Sequence, residues 1–119
     1  MTGQKVMTGG CHCGLVRFEC TTDLAMVTAC NCSICTKKGL HFTFLPPQSF
    51  QLRAGADSLK SYLFNTRTIH HQLCGECGVD VFARGSRGDG TEVIALNVAC
   101  LDGIELSQLK MTPVDGRHR

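Results

Sequence analysis

The sequence has no tryptophan, a single tyrosine and only 18% charged residues. No apolar run approaches the roughly 18 residues that a membrane-spanning helix needs, so we expect no membrane association. Residues 1–10 lack the apolar segment of a secretory signal, which favours a cytoplasmic location. The net charge of +2 is small and the basic residues are scattered. This pattern excludes the concentrated positive charge on which nucleic-acid binding depends, so no nucleic-acid partner is expected.

Repeats, low-complexity stretches and linkers are also missing, and 119 residues favour a single domain. Apolar residues make up 43% of the chain, but nine of them are cysteines. The other apolar residues form only a small core, so a further constraint is needed to hold the fold together. The cysteines are the candidates for that constraint.

Short segments with apolar residues at alternate positions, bounded by Gly, Pro, Asn and Asp, predict a mainly β fold of antiparallel strands. The predicted strands cover residues 14–20, 40–45, 59–64, 68–73, 79–83 and 92–99. Residues 33–38 and 104–109 predict helical turns, and the glycine-rich stretch 85–90 predicts a hairpin loop.

The alternation also predicts which side chains are buried. Cys20 lies on the apolar side of the first predicted strand, which indicates a core thiol, and Phe44 lies on the apolar side of the second. Adjacent residues of a strand point to opposite faces. Of His70 and His71, therefore, only one can reach a metal ion or a ligand.

Seven of the nine cysteines lie in three tight motifs, which are Cys11 with Cys13, Cys30 with Cys32 and Cys35, and Cys74 with Cys77. Cysteines one or three positions apart in a turn can direct both sulfurs to one ion, and adjacent glycines allow such turns. Buried thiols packing as small apolar groups are the plainer interpretation, but three motifs at these spacings favour metal. In a reducing cytosol thiols bind metal rather than form disulfides, and an odd total fits this.

The number of ligands divides the motifs into two predicted zinc sites. Two cysteine pairs complete a closed, structural site; its predicted ligands are Cys11, Cys13, Cys74 and Cys77. Three ligands and an open position are typical of catalytic zinc, and Cys30, Cys32 and Cys35 are predicted to form such a second site. Alternatively, a fourth residue closes the second site, and spacing does not decide between the two; the candidates are Cys100, His41, His70 and His71.

The motifs GGCHCGLVRF at residues 9–18, CNCSIC at 30–35 and CGECG at 74–78 resemble the glutathione-dependent formaldehyde-activating family, which is related to the centromere protein V domain. The resemblance includes YLFNT at residues 62–66, His71 three residues before Cys74, LNV at 96–98 and CLDG at 100–103. It covers residues 9–117 as one zinc-binding domain and leaves residues 1–8 as an N-terminal segment.

This resemblance implies a β-tent fold, in which several short coiled antiparallel sheets are stapled by zinc. It implies that Cys30, Cys32 and Cys35 are catalytic as zinc ligands, with the other pairs structural. The implied activity is a carbon–sulfur lyase-type reaction that joins glutathione to formaldehyde as S-(hydroxymethyl)glutathione. Lys37 and Lys38 are the only basic residues near the second motif that could meet the carboxylates of glutathione.

Two functions without catalysis are alternatives to this activity. No Ser-His-Asp set, phosphate-binding glycine loop or carboxylate pair is recognisable. A non-catalytic zinc-binding domain for protein interaction is the main alternative, and metal storage is a weaker one. His71 or Cys100 as a fourth ligand would favour the non-catalytic domain, whereas a position outside the coordination shell would leave the zinc open. Exposed strand edges in a small β domain favour a homodimer.

Overall fold

Two β-sheets make up most of the described chain. The computed structural model describes residues 5–24, 26–30, 33–62, 70–86 and 90–114. The three-stranded sheet has, in order, β1 (Lys5–Gly10), β2 (Arg17–Thr22) and β5 (Phe50–Ala54). The seven-stranded sheet has, in order, β10 (Met111–Val114), β3 (Val27–Cys30), β4 (Phe42–Leu45), β9 (Glu92–Asn97), β8 (Asp80–Ser86), β7 (His70–Cys74) and β6 (Leu59–Tyr62).

A single α-helix, α1 (Ser33–Lys38), appears among the described residues, and it connects β3 to β4. Short 3₁₀ turns occupy Pro47–Ser49, Ala56–Ser58, Val98–Cys100 and Leu106–Gln108. The helical turns predicted at 33–38 and 104–109 are therefore confirmed. No helix in the described ranges is long and apolar enough to cross a membrane.

Aromatic contacts join the two sheets through the core. The ring of Phe50 in the three-stranded sheet lies 5.4 Å from that of Phe18 and 4.6 Å from that of Phe82 in the seven-stranded sheet. Leu96 and Ile94 are completely buried in the same cluster. Because so few large side chains fill this core, the cysteines contribute a noticeable share of its apolar surface.

The mainly β fold expected from the sequence is confirmed, and each predicted strand overlaps an observed one. Cys20 is buried as expected. The prediction for Phe44 is wrong, because 46% of this residue is exposed. Ile34 of the helix packs in the cluster of Leu40 and Phe42, so the helix covers this face around Phe42 while Phe44 lies beyond it.

Four strands were not predicted, namely β1, β3, β5 and β10. β1 ends in two glycines, and β3 and β10 have only four residues each, so pairing with distant segments determines their conformation. β5 alternates Phe50, Leu52 and Ala54 with polar residues, and this signal was missed. β10 pairs with β3 in parallel, the exception to the otherwise antiparallel pairing of the described strands. β10 lies at the edge of the sheet, where Pro113 is tolerated because one side of the strand needs no hydrogen bonds. Strand β1 begins at Lys5, so residues 5–8 belong to the three-stranded sheet.

The backbone of Gly55, directly after β5, lies close to the backbone of Leu15. Gly55 has φ +87°, and a Cβ there would lie 2.3 Å from the carbonyl oxygen of Leu15. Gly103 has φ +74°, but a Cβ there would meet nothing within 4 Å. Gly103→Ala should therefore cost only the strain of the left-handed backbone, about 1 kcal/mol of unfolding free energy. Gly55→Ala should cost a further ~1–3 kcal/mol from the clash.

Urea unfolding of both variants measures this difference, since the backbone strain is common to the two. Equal losses of unfolding free energy would contradict the close packing of residue 55 against Leu15.

Candidate metal centre

The turn that joins β1 to β2 presents the first cysteine pair. The amide of Cys11 donates to the carbonyl of Val16 at 3.1 Å, and the amide of Val16 donates to the Sγ of Cys11 at 3.3 Å. Gly14 completes the turn at φ +84°. Burial opposes ionisation of Cys11, but the amide of Val16 and the thiols of Cys13 and Cys74 outweigh it and lower its pKa. The turn thus stabilises a thiolate at Cys11.

The turn between β7 and β8 presents the second pair in a similar way. The amide of Cys74 donates to the carbonyl of Val79 at 3.0 Å, and the amide of Gly78 donates to the carbonyl of Cys74 at 2.8 Å. Gly78 has φ +80°, a conformation that favours glycine. The glycines beside both cysteine pairs thus allow the tight turns that the sequence predicted.

The two turns bring their sulfurs to one point. The Sγ atoms of Cys11 and Cys13 lie 3.6 Å apart, and those of Cys13 and Cys74 lie 3.7 Å apart. The ligand atoms of the whole set lie within 4.8 Å of one another; the set is Cys11, Cys13, Cys74 and Cys77. Zinc–sulfur bonds of about 2.3 Å in a tetrahedron place sulfurs about 3.8 Å apart. These residues therefore fit a four-thiolate zinc ion, and we call them the four-sulfur centre.

The electrostatics of the centre also fit a cation. Backbone amides of Cys13 and Val79 lower the pKa of Cys77 to about 6. The amide of Leu15 favours the thiolate of Cys13, yet burial and the neighbouring sulfurs raise the pKa of Cys13 to about 12. Negative charge on one sulfur thus opposes ionisation of the next. A divalent ion removes this conflict because it allows all the thiols to ionise together.

The second cysteine motif lies where β3 meets α1. Cys30 ends β3 and Cys35 lies within α1. Cys32 and the side chains of Cys30 and Cys35 lie outside the described residues, so the predicted second zinc site stays a prediction.

The predicted fourth ligands lie in different surroundings. Cys100 is buried and its thiol donates to the carbonyl of Asp80 at 3.3 Å. Burial, and then the nearby negative charges, raise the pKa of Cys100 to about 12. His71 is buried, which lowers its pKa, whereas His70 is exposed. The prediction that these neighbours face opposite ways is thus confirmed. The Nδ1 atom of His41 is buried with no hydrogen-bond partner among the described residues.

The ion pair between Lys38 and Asp80 was not predicted from the sequence. Lys38 Nζ lies 2.8 Å from Asp80 Oδ1, and the two residues are 42 positions apart. Lys38 is one of the two lysines that could meet the carboxylates of glutathione, but it is paired with a carboxylate of the protein. A buried Asp in a small domain is unusual unless it is paired, but its burial cannot be read from the sequence.

A cysteine substitution tests the four-sulfur centre. Cys74→Ala removes a fully buried ligand, so the protein should lose one zinc ion and its cooperative unfolding. The reason is that structural zinc contributes on the order of 10 kcal/mol to folding. Cys20→Ala is the matched control, because Cys20 is also buried but lies outside the cluster.

Metal analysis and thermal unfolding by circular dichroism measure both effects. The control should keep its metal and lose only about 1–2 kcal/mol of packing. A Cys74→Ala protein with the metal content and stability of the control would contradict the assignment.

Comparisons with known proteins agree with this geometry. The family described as glutathione-dependent formaldehyde-activating enzyme matches residues 6–114. A crystal structure of a Rhodobacter sphaeroides protein, solved as a structural genomics target, superposes with a TM-score of 0.80. Its sequence is 32% identical, and the match covers 90% of this chain and 98% of that one. By its sequence, the chain belongs to the glutathione-dependent formaldehyde-activating enzyme family.

Proposed function

We propose that this protein is a zinc-dependent carbon–sulfur lyase-type enzyme that joins a thiol such as glutathione to formaldehyde or another small carbonyl. In the synthetic direction a sulfur–carbon bond forms, the carbonyl π bond breaks, and the thiol proton ends on the carbonyl oxygen. No electrons are gained or lost. The proposal includes a cytoplasmic location, where such thiols are abundant in the reduced form.

The observation that carries the proposal is the composition of the four-sulfur centre. It uses both cysteine pairs and leaves the C-x-C-x-x-C motif with ligands of its own. A closed four-thiolate site has no position for a substrate, whereas three ligands leave one open. Cys30, Cys32 and Cys35 would hold the second zinc, and zinc bound there supplies a site at which a substrate thiol loses its proton.

The sheet face on which Ile34 of α1 packs also carries a buried histidine. Cross-strand pairs place His71 between Tyr62 of β6 and Ala83 of β8, on one face of the seven-stranded sheet. Ala83 in turn pairs with Ala95, the residue in contact with the hydrophobic cluster below α1. His71 is buried, and this burial lowers its pKa and favours the neutral imidazole. A neutral imidazole on this face can hold or pass on a proton, which the reaction requires.

A non-catalytic zinc domain for protein interaction is the second candidate. It is favoured by the buried Nδ1 of His41, which lacks a partner among the described residues and could complete a closed site. Exposed Phe44 and Tyr62 would then contribute to an interaction surface. In this case the second zinc would be structural and indifferent to thiols. The predicted homodimer is compatible with both candidates.

Native mass spectrometry with and without millimolar glutathione separates the two candidates. The enzyme should carry two zinc ions and gain one glutathione, and Cys35→Ala should lose one zinc and the glutathione. Cys20→Ala should retain both. A wild-type protein that carries two zinc ions but binds no glutathione would contradict the enzyme. Loss of one of these ions in His41→Ala would support the closed site.

Catalysis itself is measurable by NMR exchange between ¹³C-formaldehyde and its glutathione adduct. The exchange rate should rise in proportion to the concentration of wild-type protein and of Cys20→Ala. Cys35→Ala should leave only the spontaneous rate. A wild-type rate equal to that in buffer would refute the proposed activity.

A further inference from the structure

The ion pair of Lys38 and Asp80 connects α1 to the seven-stranded sheet. The side chain of Asp80 is 5% exposed and that of Lys38 is 33% exposed. Lys38 Nζ also lies 5.7 Å from the centre of the Tyr62 ring, within range of a cation–π interaction. The last turn of the helix is therefore held by one buried charge and one aromatic ring.

The sheet face that Ile34 contacts has small side chains in its middle. A row of cross-strand neighbours crosses five strands of one face, and it consists of Phe44, Ala95, Ala83, His71 and Tyr62. The two residues in the centre of the row are alanines, and one of them, Ala95, packs against the cluster of Leu40 and Phe42. Ile34, in the first turn of α1, packs in the cluster that contains Ala95. The helix is thus anchored near its start by an apolar contact and at its end by Lys38.

Asp80 is held rigidly on the sheet side. Its carbonyl accepts a hydrogen bond from Asn97 Nδ2 at 2.8 Å and another from the thiol of Cys100 at 3.3 Å. Its Oδ2 atom is buried with no hydrogen-bond partner among the described residues. Lys38 therefore provides the main compensation for this buried charge, and its loss would leave an unpaired carboxylate. Asp80 also begins β8, three residues after Cys77 of the four-sulfur centre.

We propose that Lys38 and Asp80 are positioning residues that fix α1, and with it the C-x-C-x-x-C motif, against the strand that leaves the four-sulfur centre. Cys35 lies one helical turn before Lys38 in the same helix. A helix of six residues has little stability of its own, so its position depends on such contacts. The proposal rests on the proposed function in one respect, namely that the motif binds a second zinc ion.

The neighbouring lysine provides a matched control. Lys37 belongs to the same helical turn, is exposed, and forms no ion pair within the described ranges. Lys38→Met and Lys37→Met therefore remove the same charge from the same helix, but only the first removes the contact with Asp80.

Hydrogen exchange of residues 33–38 and the affinity for the second zinc are the two measurements, the latter by competition with a chelator. In Lys38→Met, exchange should quicken and the second zinc should bind about tenfold more weakly or worse. In Lys37→Met both should match the wild type, and Lys38→Arg, which keeps the charge, should restore both.

A double variant distinguishes positioning from simple stabilisation. In Lys38→Met/Asp80→Asn no buried charge is left unpaired, so the unfolding midpoint should recover relative to Lys38→Met alone. The affinity for the second zinc should stay low, because the helix is still not anchored. Affinity that recovers together with stability would overturn a positioning role.

The number of bound zinc ions tests the proposed function, and hydrogen exchange of residues 33–38 tests the role of Lys38. A wild-type protein that binds only one zinc would refute the function, and hydrogen exchange alone would then decide whether Lys38 fixes the helix. Equal exchange of residues 33–38 in Lys38→Met and Lys37→Met would overturn the inference, whatever the zinc count.

Discussion

The convergence of four cysteine sulfurs is the interaction on which the rest of this structure depends. Two turns that are 61 residues apart, measured from Cys13 to Cys74, meet there with sulfur separations that fit tetrahedral zinc. One turn belongs to the three-stranded sheet and the other to the seven-stranded sheet. A zinc ion bound at the centre would therefore join the two sheets at one point, and the aromatic contacts of Phe50 join them at another.

Strand β8 and helix α1 connect the four-sulfur centre to the second cysteine motif. Strand β8 leaves the second turn, and its first residue, Asp80, pairs with Lys38 at the end of α1. The helix carries Cys35 and follows the strand that ends at Cys30. The pair of Lys38 and Asp80 thus connects the strand that leaves the four-sulfur centre with the helix that carries Cys35.

Local pattern sufficed for the two cysteine pairs of the four-sulfur centre and for much of the sheet, but not for long-range contacts. The turns around Gly14 and Gly78 follow from glycine beside paired cysteines, and alternation correctly placed Cys20 in the core. Alternation failed for Phe44, because a period of two cannot tell how much of a face a short helix covers. β10 was missed because pairing in parallel with β3 forms this strand, and Pro113 weakens its local signal. The partner of Lys38 lies 42 positions away, and no local pattern identifies it.

The central claim is that metal at the four-sulfur centre holds the two sheets together. Titration of the metal-free protein with zinc, followed by amide hydrogen exchange, tests it most directly. The first equivalent of zinc should protect the amides of β1, β2, β7 and β8 together, because both turns close around the same ion. Full protection of these strands before any zinc is added would contradict the account.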